Sequence, residues 1–501
     1  MAAGDCVVDQ HTSQDSIGRI TVAVVVSCVI AASGGLIFGY DVGISGGVTT
    51  MAGFQQKFFV YILKKEANAK ENLYCKYESQ VLTAFTSSLY IAGLPASLVA
   101  SWLTANFGRK FTIMLGGCTF LLGAAINGGA ENIAMLILGR VFMGFGLGFT
   151  NQAAPVYLSE VAPPRCRGVF TTGFEIFINV GILFANCINY GMAKLIWGWR
   201  LSLGLAFIPA LIMTLGTVMI SDTPSSLVNR GMLDQAKKAL TKARGDADVE
   251  VELAELVKAG QAARALSTEP FITIFAKHNR PYLIMAILIP SFQQLTGINA
   301  IVSFAPVLFE SVGFGSTIAL IAAIILGLFI LGSNLLSTLV VDRLGRRLLF
   351  FVGGVQMFIC QVAMAIVLGV ITEASGDRHI SKDHAILVLA LMCIYAAGFG
   401  CSWGPLAFLV PSEIFPLKIR PTGQSISIAM NFAVTFVLSQ TFLSMLCHFR
   451  YGAFLFFAAW IAIMTIFVAL FMPETKGRSL ESMDVVWKQH WYWHRFMKED
   501  A

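Results

Sequence analysis

The chain has 501 residues, 56% of them hydrophobic and only 13% charged, with 39 Phe against 11 Tyr and a mean hydropathy of +0.72. Soluble domains carry about 25% charged residues, so a single solvent-excluded core in water is ruled out. The formal charge of +6 follows from Lys and Arg gathered in loops and carries no nucleic-acid implication.

Apolar runs of membrane-spanning length, about 20 residues, recur near 20–46, 81–103, 111–129, 133–153, 169–190, 200–220, 281–306, 317–341, 348–372, 385–409, 421–446 and 451–472. They predict an all-α membrane protein of twelve spans: an N-terminus (1–19), a first half (20–220), a linker (221–280), a second half (281–472) and a tail (473–501). Placing both termini and the linker on one side gives that side 24 Lys and Arg against 10, with Arg140 inside a span. By the positive-inside rule that side is cytoplasmic.

The first span ends in GGLIFGYDVGISGGV (34–48), where Asp41 is the only formal charge. An ionised carboxylate at membrane depth costs a few kcal/mol, so such a residue generally faces a polar interior and serves a function. The run is too long for a cleavable signal peptide and no small-residue cleavage site follows a short core. Its glycines, like Gly144, Gly146 and Gly148 of the fourth span, let helices approach closely. A long loop, 52–80, follows on the extracellular side and carries Cys75. In the fourth span, ILGRVFMGFGLGF supplies Arg140, the basic residue available to Asp41 within a nearby span. A carboxylate whose distance to an arginine changes during a cycle can load and release a proton.

The cytoplasmic loops repeat. NFGRK (106–110) after the second span matches VDRLGRR (341–347) after the eighth, and YLSEVAPPRCRG (157–168) matches VPSEIFPLKIRPTG (410–423). In the second pair each Ser-Glu is followed by Arg seven residues after the Glu, which predicts ion pairs Glu160–Arg167 and Glu413–Arg420. With Arg109 and Arg346 they form a cytoplasmic set that holds one conformation closed. Such duplication is a common construction for secondary transporters. The linker, LDQAKKALTKARGDADVEVELAELVKAGQAARAL, is too polar to span and reads as short amphipathic helices. Ten cysteines form no CxxC, no HExxH is present, and no nucleophile–base set is evident, so neither a metal site nor an enzyme is expected. Only Cys75 and Cys447 fall on the extracellular side, where a disulfide can persist.

With these repeats, SDTPSSL (221–227) after the sixth span and PETKG (473–477) after the twelfth, the sequence resembles the sugar porter branch of the major facilitator superfamily. The strings FGYDVGISGGVTTM, FTSSLY, NQAAPVYLSEVAPPR, FQQLTGIN, SWGPL and WKQHWYW resemble its plant monosaccharide/proton symporters, from about residue 18 to 494. The resemblance implies two six-helix bundles with substrate between them near the midplane, and a plasma-membrane importer of hexose and a proton. It implies a monomer, no cofactor beyond the co-transported proton, Asp41 as proton acceptor and donor with Arg140 as its partner, and a Cys75–Cys447 disulfide tying the 52–80 lid to the second half.

The resemblance also implies sugar contacts from Gln293, Gln294 and Asn299 in the seventh span, from Asn431 and Thr435 in the eleventh, and from the positions of Glu175 in the fifth and Phe408 in the tenth. Carboxamides suit hydroxyls, and three within seven residues exceed the needs of packing. Four places depart from the family pattern: Glu175 stands for Gln, Phe408 for Trp, Ile330 for Asn, and Ser303 with Phe304 for an aromatic pair. Beside hexose import stand two alternatives: a carrier of the same fold with altered selectivity for a pentose, polyol or other small polar solute, or with weak transport, and a sugar sensor that does not transport.

Overall fold

The computed structural model describes residues 21–61, 79–162, 167–245, 249–265, 270–311, 314–375, 382–416, 419–476 and 483–497. The first half contains α1 (Val22–Thr50), α2 (Ala52–Phe58), α3 (Gln80–Asn106), α4 (Arg109–Gly128), α5 (Ile133–Val161), α6 (Arg167–Met192), α7 (Gly198–Gly204) and α8 (Phe207–Met219). Between the halves come α9 (Pro224–Asn229), α10 (Leu233–Arg244), α11 (Glu250–Ala265) and α12 (Pro270–Ile274). The second half has α13 (Arg280–Leu295), α14 (Ile298–Ser303), α15 (Ala305–Ser311), α16 (Ser316–Leu344), α17 (Arg346–Ser375), α18 (Lys382–Cys401), α19 (Trp403–Ile414), α20 (Arg420–Phe449) and α21 (Gly452–Phe471). The tail adds α22 (Met483–Gln489) and α23 (His494–Met497).

Several starts follow from the local sequence, because a side-chain oxygen can take a backbone N–H that the first turn leaves unpaired. Thr21 caps α1 through Val24 N at 3.3 Å, and Asn132 caps α5 through Met135 N at 2.9 Å. Among the described residues, eleven helical stretches are long and apolar enough to cross a membrane. Twelve spans were expected, and the seventh accounts for the difference. It is broken: α13 stops at Leu295, Gly297 takes a φ of 85°, and α14 and α15 resume the path in short pieces. A left-handed residue cannot continue an α-helix, and backbone broken at membrane depth is tolerated where protein or a cavity covers it.

Packing repeats with an offset of six spans. In the first half α1 packs on α6, α3 on α5 and α4 on α8; in the second α13 packs on α20, α16 on α18 and α17 on α21. The halves meet where α3 crosses α20, where α6 runs along α16, and where α1 touches α14 and α15. Large apolar side chains such as Ile212, Phe329, Leu339 and Ile466 remain exposed on the outside, as a lipid-facing surface requires.

The linker helices dock on one end of the first half, called here the linker face; the opposite end is the distal face. Thr21 Oγ1 donates to the Ala243 carbonyl (3.0 Å), and Arg244 donates to the Val161 carbonyl (3.3 Å) while pairing with Glu252 at 2.9 Å. The segment predicted as a long loop, 52–80, opens with the short helix α2.

Candidate functional site

Asp41 lies on α1 at 2% exposure, in the interior of the first half. Arg140 on α5, fully buried, donates from one guanidinium nitrogen to Asp41 and from the other to Ser45 Oγ at 2.9 Å. Ser45 sits one helical turn beyond Asp41 and in turn donates to the Asp41 carbonyl at 2.7 Å. The guanidinium carbon stands 4.4 Å from the Phe85 ring centre, a cation–π contact from α3. A buried carboxylate and guanidinium are tolerable only as a pair, because either alone would carry an uncompensated charge. One turn or so along α1, Gly46 lies so close to α14 that a methyl group built on it would overlap the carbonyl oxygen of Ser303. The ion pair is therefore held on a helix that touches the other half.

Four of the predicted sugar contacts, Gln293, Gln294, Asn299 and Asn431, form one bonded cluster. Gln293 Oε1 accepts from Asn431 Nδ2 (2.9 Å) and Gln294 Nε2 (3.4 Å), and Asn299 Nδ2 donates to Gln294 Oε1 at 2.7 Å. Gln293 Nε2 donates to the Gly404 carbonyl at 3.3 Å, tying the cluster to α19. The break after Leu295 brings the two Gln and Asn299 together from α13 and α14. Thr435 is turned to its own helix, donating to the Asn431 carbonyl at 2.7 Å.

Glu175 enters from the other half. Buried on α6, it places Oε1 beside Gly404, while Oε2 has no hydrogen-bond partner. Phe408 packs edge-on against Phe174 of α6 at 5.6 Å between ring centres, and so joins the halves through an aromatic contact without an indole N–H. Phe304 stacks on Phe442 at 5.6 Å, and Ile330 is buried.

At the linker face the structure assigns the arginines differently from the spacing argument. Glu160 accepts from Arg109 (2.9 Å) and from Thr223 Oγ1 (2.6 Å). Glu413 accepts from Arg346 (2.8 and 3.2 Å) and from Thr475 Oγ1 (3.0 Å). Arg420 donates to the Phe415 carbonyl at 3.3 Å, and the Arg167 side chain lies outside the described residues. The reason is helix packing: α4 lies along α5, and the turns at Gly108 and Gly345 (φ 94° and 89°) deliver Arg109 and Arg346 directly to the ends of α5 and α19. Both ion pairs join elements of a single half. Bonds between the halves at this face come from other groups, Gln152 Nε2 to the Pro421 carbonyl at 3.3 Å and Thr172 Oγ1 to Thr338 Oγ1 at 3.3 Å.

Asp222 and Glu474 are members of this network that the spacing argument missed. Asp222 accepts from the backbone N–H groups of Arg109 and Lys110 (both 3.2 Å), and Glu474 from those of Arg346 (2.9 Å) and Arg347 (3.1 Å). Each carboxylate thus neutralises the positive end of a helix dipole. Their signal is an acidic residue followed by Thr, once in SDTPSSL and once in PETKG. Ser45 and Phe85 were also missed; the one-turn spacing from Asp41 could have found the serine. Cys447 is disulfide-bonded, and its predicted partner Cys75 lies outside the described residues. Among the described residues, no group of three or more His, Cys, Asp or Glu could hold a metal ion.

The sugar (and other) transporter family matches residues 27–487 of the chain. Sugar transport protein 5 of Arabidopsis thaliana is 61% identical, with 99% of each chain covered. Sugar transport protein MST3 of Oryza sativa subsp. japonica is 52% identical, covering 99% of this chain and 96% of that one. Among solved structures, the major facilitator proton:xylose symporter XylE bound to 6-bromo-6-deoxy-D-glucose superposes with a TM-score of 0.79 at 24% identity, covering 93% of this chain and 99% of the other.

Proposed function

The chain belongs to the sugar transporter family with the major facilitator fold, and on that footing we propose that it imports a monosaccharide together with a proton by alternating access. The observation that carries the proposal is the buried Asp41–Arg140 pair on a helix that touches the other half. When a proton neutralises Asp41, its attraction for Arg140 falls and Ser45 remains as the neutral partner of the guanidinium. The amino-terminal helices are then free to shift against the second half. When the proton leaves, the pair reforms. The available drive is about 2.3 kcal/mol per charge per 100 mV and about 1.4 kcal/mol per pH unit.

The carboxamide cluster of Gln293, Gln294, Asn299 and Asn431 supports a polyhydroxy substrate, since each amide can exchange its internal bond for a sugar hydroxyl at little net cost. We take the substrate to be a hexose resembling glucose, the membrane to be the plasma membrane, the linker face to be cytoplasmic and the protein to act as a monomer without a cofactor. On this reading Cys447 pairs with Cys75 to tie the 52–80 segment to the second half, and Glu160 and Glu413 order the loops that close the cytoplasmic side. A second reading, a carrier for another small polyhydroxy solute, draws on the apolar Ile330 and Phe408 in that same region.

The test is uptake of labelled glucose in a hexose-transport-deficient yeast at pH 5 and pH 7, with Asp41→Asn and Arg140→Lys alongside. Acid-stimulated uptake that the wild type shows and both variants lose by about tenfold or more supports the proposal, because Lys cannot hold Asp41 and Ser45 with a planar fork. Undiminished acid stimulation in Asp41→Asn would remove Asp41 from the coupling role. No uptake by surface-located wild type, with uptake of another labelled polyol, would favour the second reading.

A further inference from the structure

The face of α16 that meets α6 carries Ala323, Gly327, Asn334 and Thr338, a stripe with helical spacing. Its two ends are fixed by contacts. The Ala323 carbonyl accepts from Asn186 Nδ2 at 3.4 Å, Gly327 lies beside Leu183, and Thr338 meets Thr172 at 3.3 Å. Since α6 and α16 run antiparallel, the turn of α6 between Thr172 and Leu183 lies opposite the turn of α16 between Thr338 and Gly327. The first turn holds Glu175 and Asn179, and the second holds Asn334.

Asn334 is fully buried, and neither its side-chain nitrogen nor its side-chain oxygen has a hydrogen-bond partner. Across the interface Glu175 is 5% exposed and its Oε2 is also without a partner. The neighbouring polar groups do not use these atoms: Thr338 Oγ1 bonds the Asn334 backbone carbonyl at 3.1 Å, and Asn179 Nδ2 bonds the Glu175 backbone carbonyl at 3.0 Å. Folded proteins leave few buried side-chain polar groups without a partner, and two at the same level of one interface call for a common one. Gly404 connects Glu175 to the carboxamide cluster, because its carbonyl accepts from Gln293 while Glu175 lies against its α-carbon. One turn away from Asn334 on the same helix, the position is the apolar Ile330.

We infer that Asn334 adds a further hydroxyl-binding group beside the sugar position at Glu175, so that together they take a pair of adjacent hydroxyls on a neutral polyhydroxy solute and set the selectivity of the carrier. The Asn334 amide donates to one hydroxyl oxygen and accepts from the next O–H, and Glu175 accepts from whichever hydroxyl bridges to α6. The subsite rests on the reading of the carboxamide cluster as a sugar site. Because its groups come from opposite halves, it is complete only while α6 and α16 are in contact, so it rewards closure around the substrate.

The experiment compares wild type with Asn334→Leu, a near-isosteric change, in competition of labelled glucose uptake by the series of monodeoxyglucoses, and in thermal melting of the purified protein with and without glucose. In wild type one deoxy position is discriminated against by about tenfold or more, and Asn334→Leu loses that discrimination together with a similar factor in glucose affinity. The unliganded variant melts at or above the wild-type temperature, since no protein hydrogen bond is lost, while its glucose-induced shift disappears. Glu175→Gln retains uptake and Glu175→Leu loses it. If Asn334→Leu keeps the wild-type deoxy profile and affinity, the inference fails and the transport function stands. If the unliganded variant melts several degrees lower and all solutes are affected alike, Asn334 is a packing residue and the inference fails. A wild type with neither uptake nor a glucose-induced shift overturns the inference together with the function beneath it.

Discussion

Glu160 and Glu413 hold the same position in the two halves: each carboxylate takes an arginine from the loop two spans earlier and a threonine hydroxyl from the segment that follows the half. The two copies differ in burial. The side chains of Arg109 and Glu160 are 5% and 2% exposed, against 6% and 13% for Arg346 and Glu413.

That difference orders two substitutions. Glu160→Gln leaves Arg109 buried without its counter-charge, which costs about 3 to 5 kcal/mol when one partner of a buried pair is removed. Glu413→Gln is expected to cost less, since water reaches its site. Melting of the purified variants in detergent measures the order, and an equal or larger loss for Glu413→Gln would contradict it. Both variants are expected to lose uptake as well, because the loops that begin α4 and α17 are positioned by the same carboxylates.

Gly46 permits α1 to approach α14 where the halves meet toward the distal face. A methyl group at that position overlaps the Ser303 carbonyl, and backbone on both sides leaves no flexible side chain to yield. Gly46→Ala is therefore expected to fold with its ion pairs intact but to hold the distal side apart, with uptake reduced by about tenfold or more, the scale of roughly 1.4 kcal/mol lost from the closed state. Labelling of a cysteine introduced on the distal stretch of α14 should become faster in this variant. Unchanged labelling and uptake would show that α1 and α14 separate without cost.

Glu131, between α4 and α5 at the distal face, accepts from Lys57 and Arg200. Hydrogen bonds from Lys57 and then Arg200 hold its carboxyl well below the ordinary value, at about 2. A depressed folded-state value favours the ionised form, so whatever stability the group adds is present above the ordinary carboxylate range and is lost only as pH falls through about 2. The group is exposed, so that contribution is small. It follows that Glu131→Gln leaves the acid stimulation of uptake between pH 5 and 7 unchanged. A flattened pH profile in this variant would assign part of the proton dependence to the distal surface.

The sequence by itself determined the class, the spans and the residues that carry charge into the apolar interior. Hydropathy sums over about twenty consecutive residues, and the cost of burying Asp41 or Arg140 is already present in the local run. The duplication was equally legible, because Glu160 and Glu413 recur in matched strings. Arg140 was legible as the partner of Asp41, but tertiary structure alone decided the partners at the linker face. Regular spacing favoured Arg167 and Arg420, yet Glu160 and Glu413 meet Arg109 and Arg346, residues 51 and 67 positions away, because α4 packs along α5 and the repeat does the same. The carboxamides could be placed in the seventh span from sequence, but the bond from Asn431 to Gln293 spans 138 positions and depends on α20 crossing α13. Asn334 was one turn from an expected position and gained meaning only opposite Glu175. An ion pair or hydrogen bond is chosen by distances of a few ångströms between side chains, and helix packing, which local sequence encodes weakly, sets those distances.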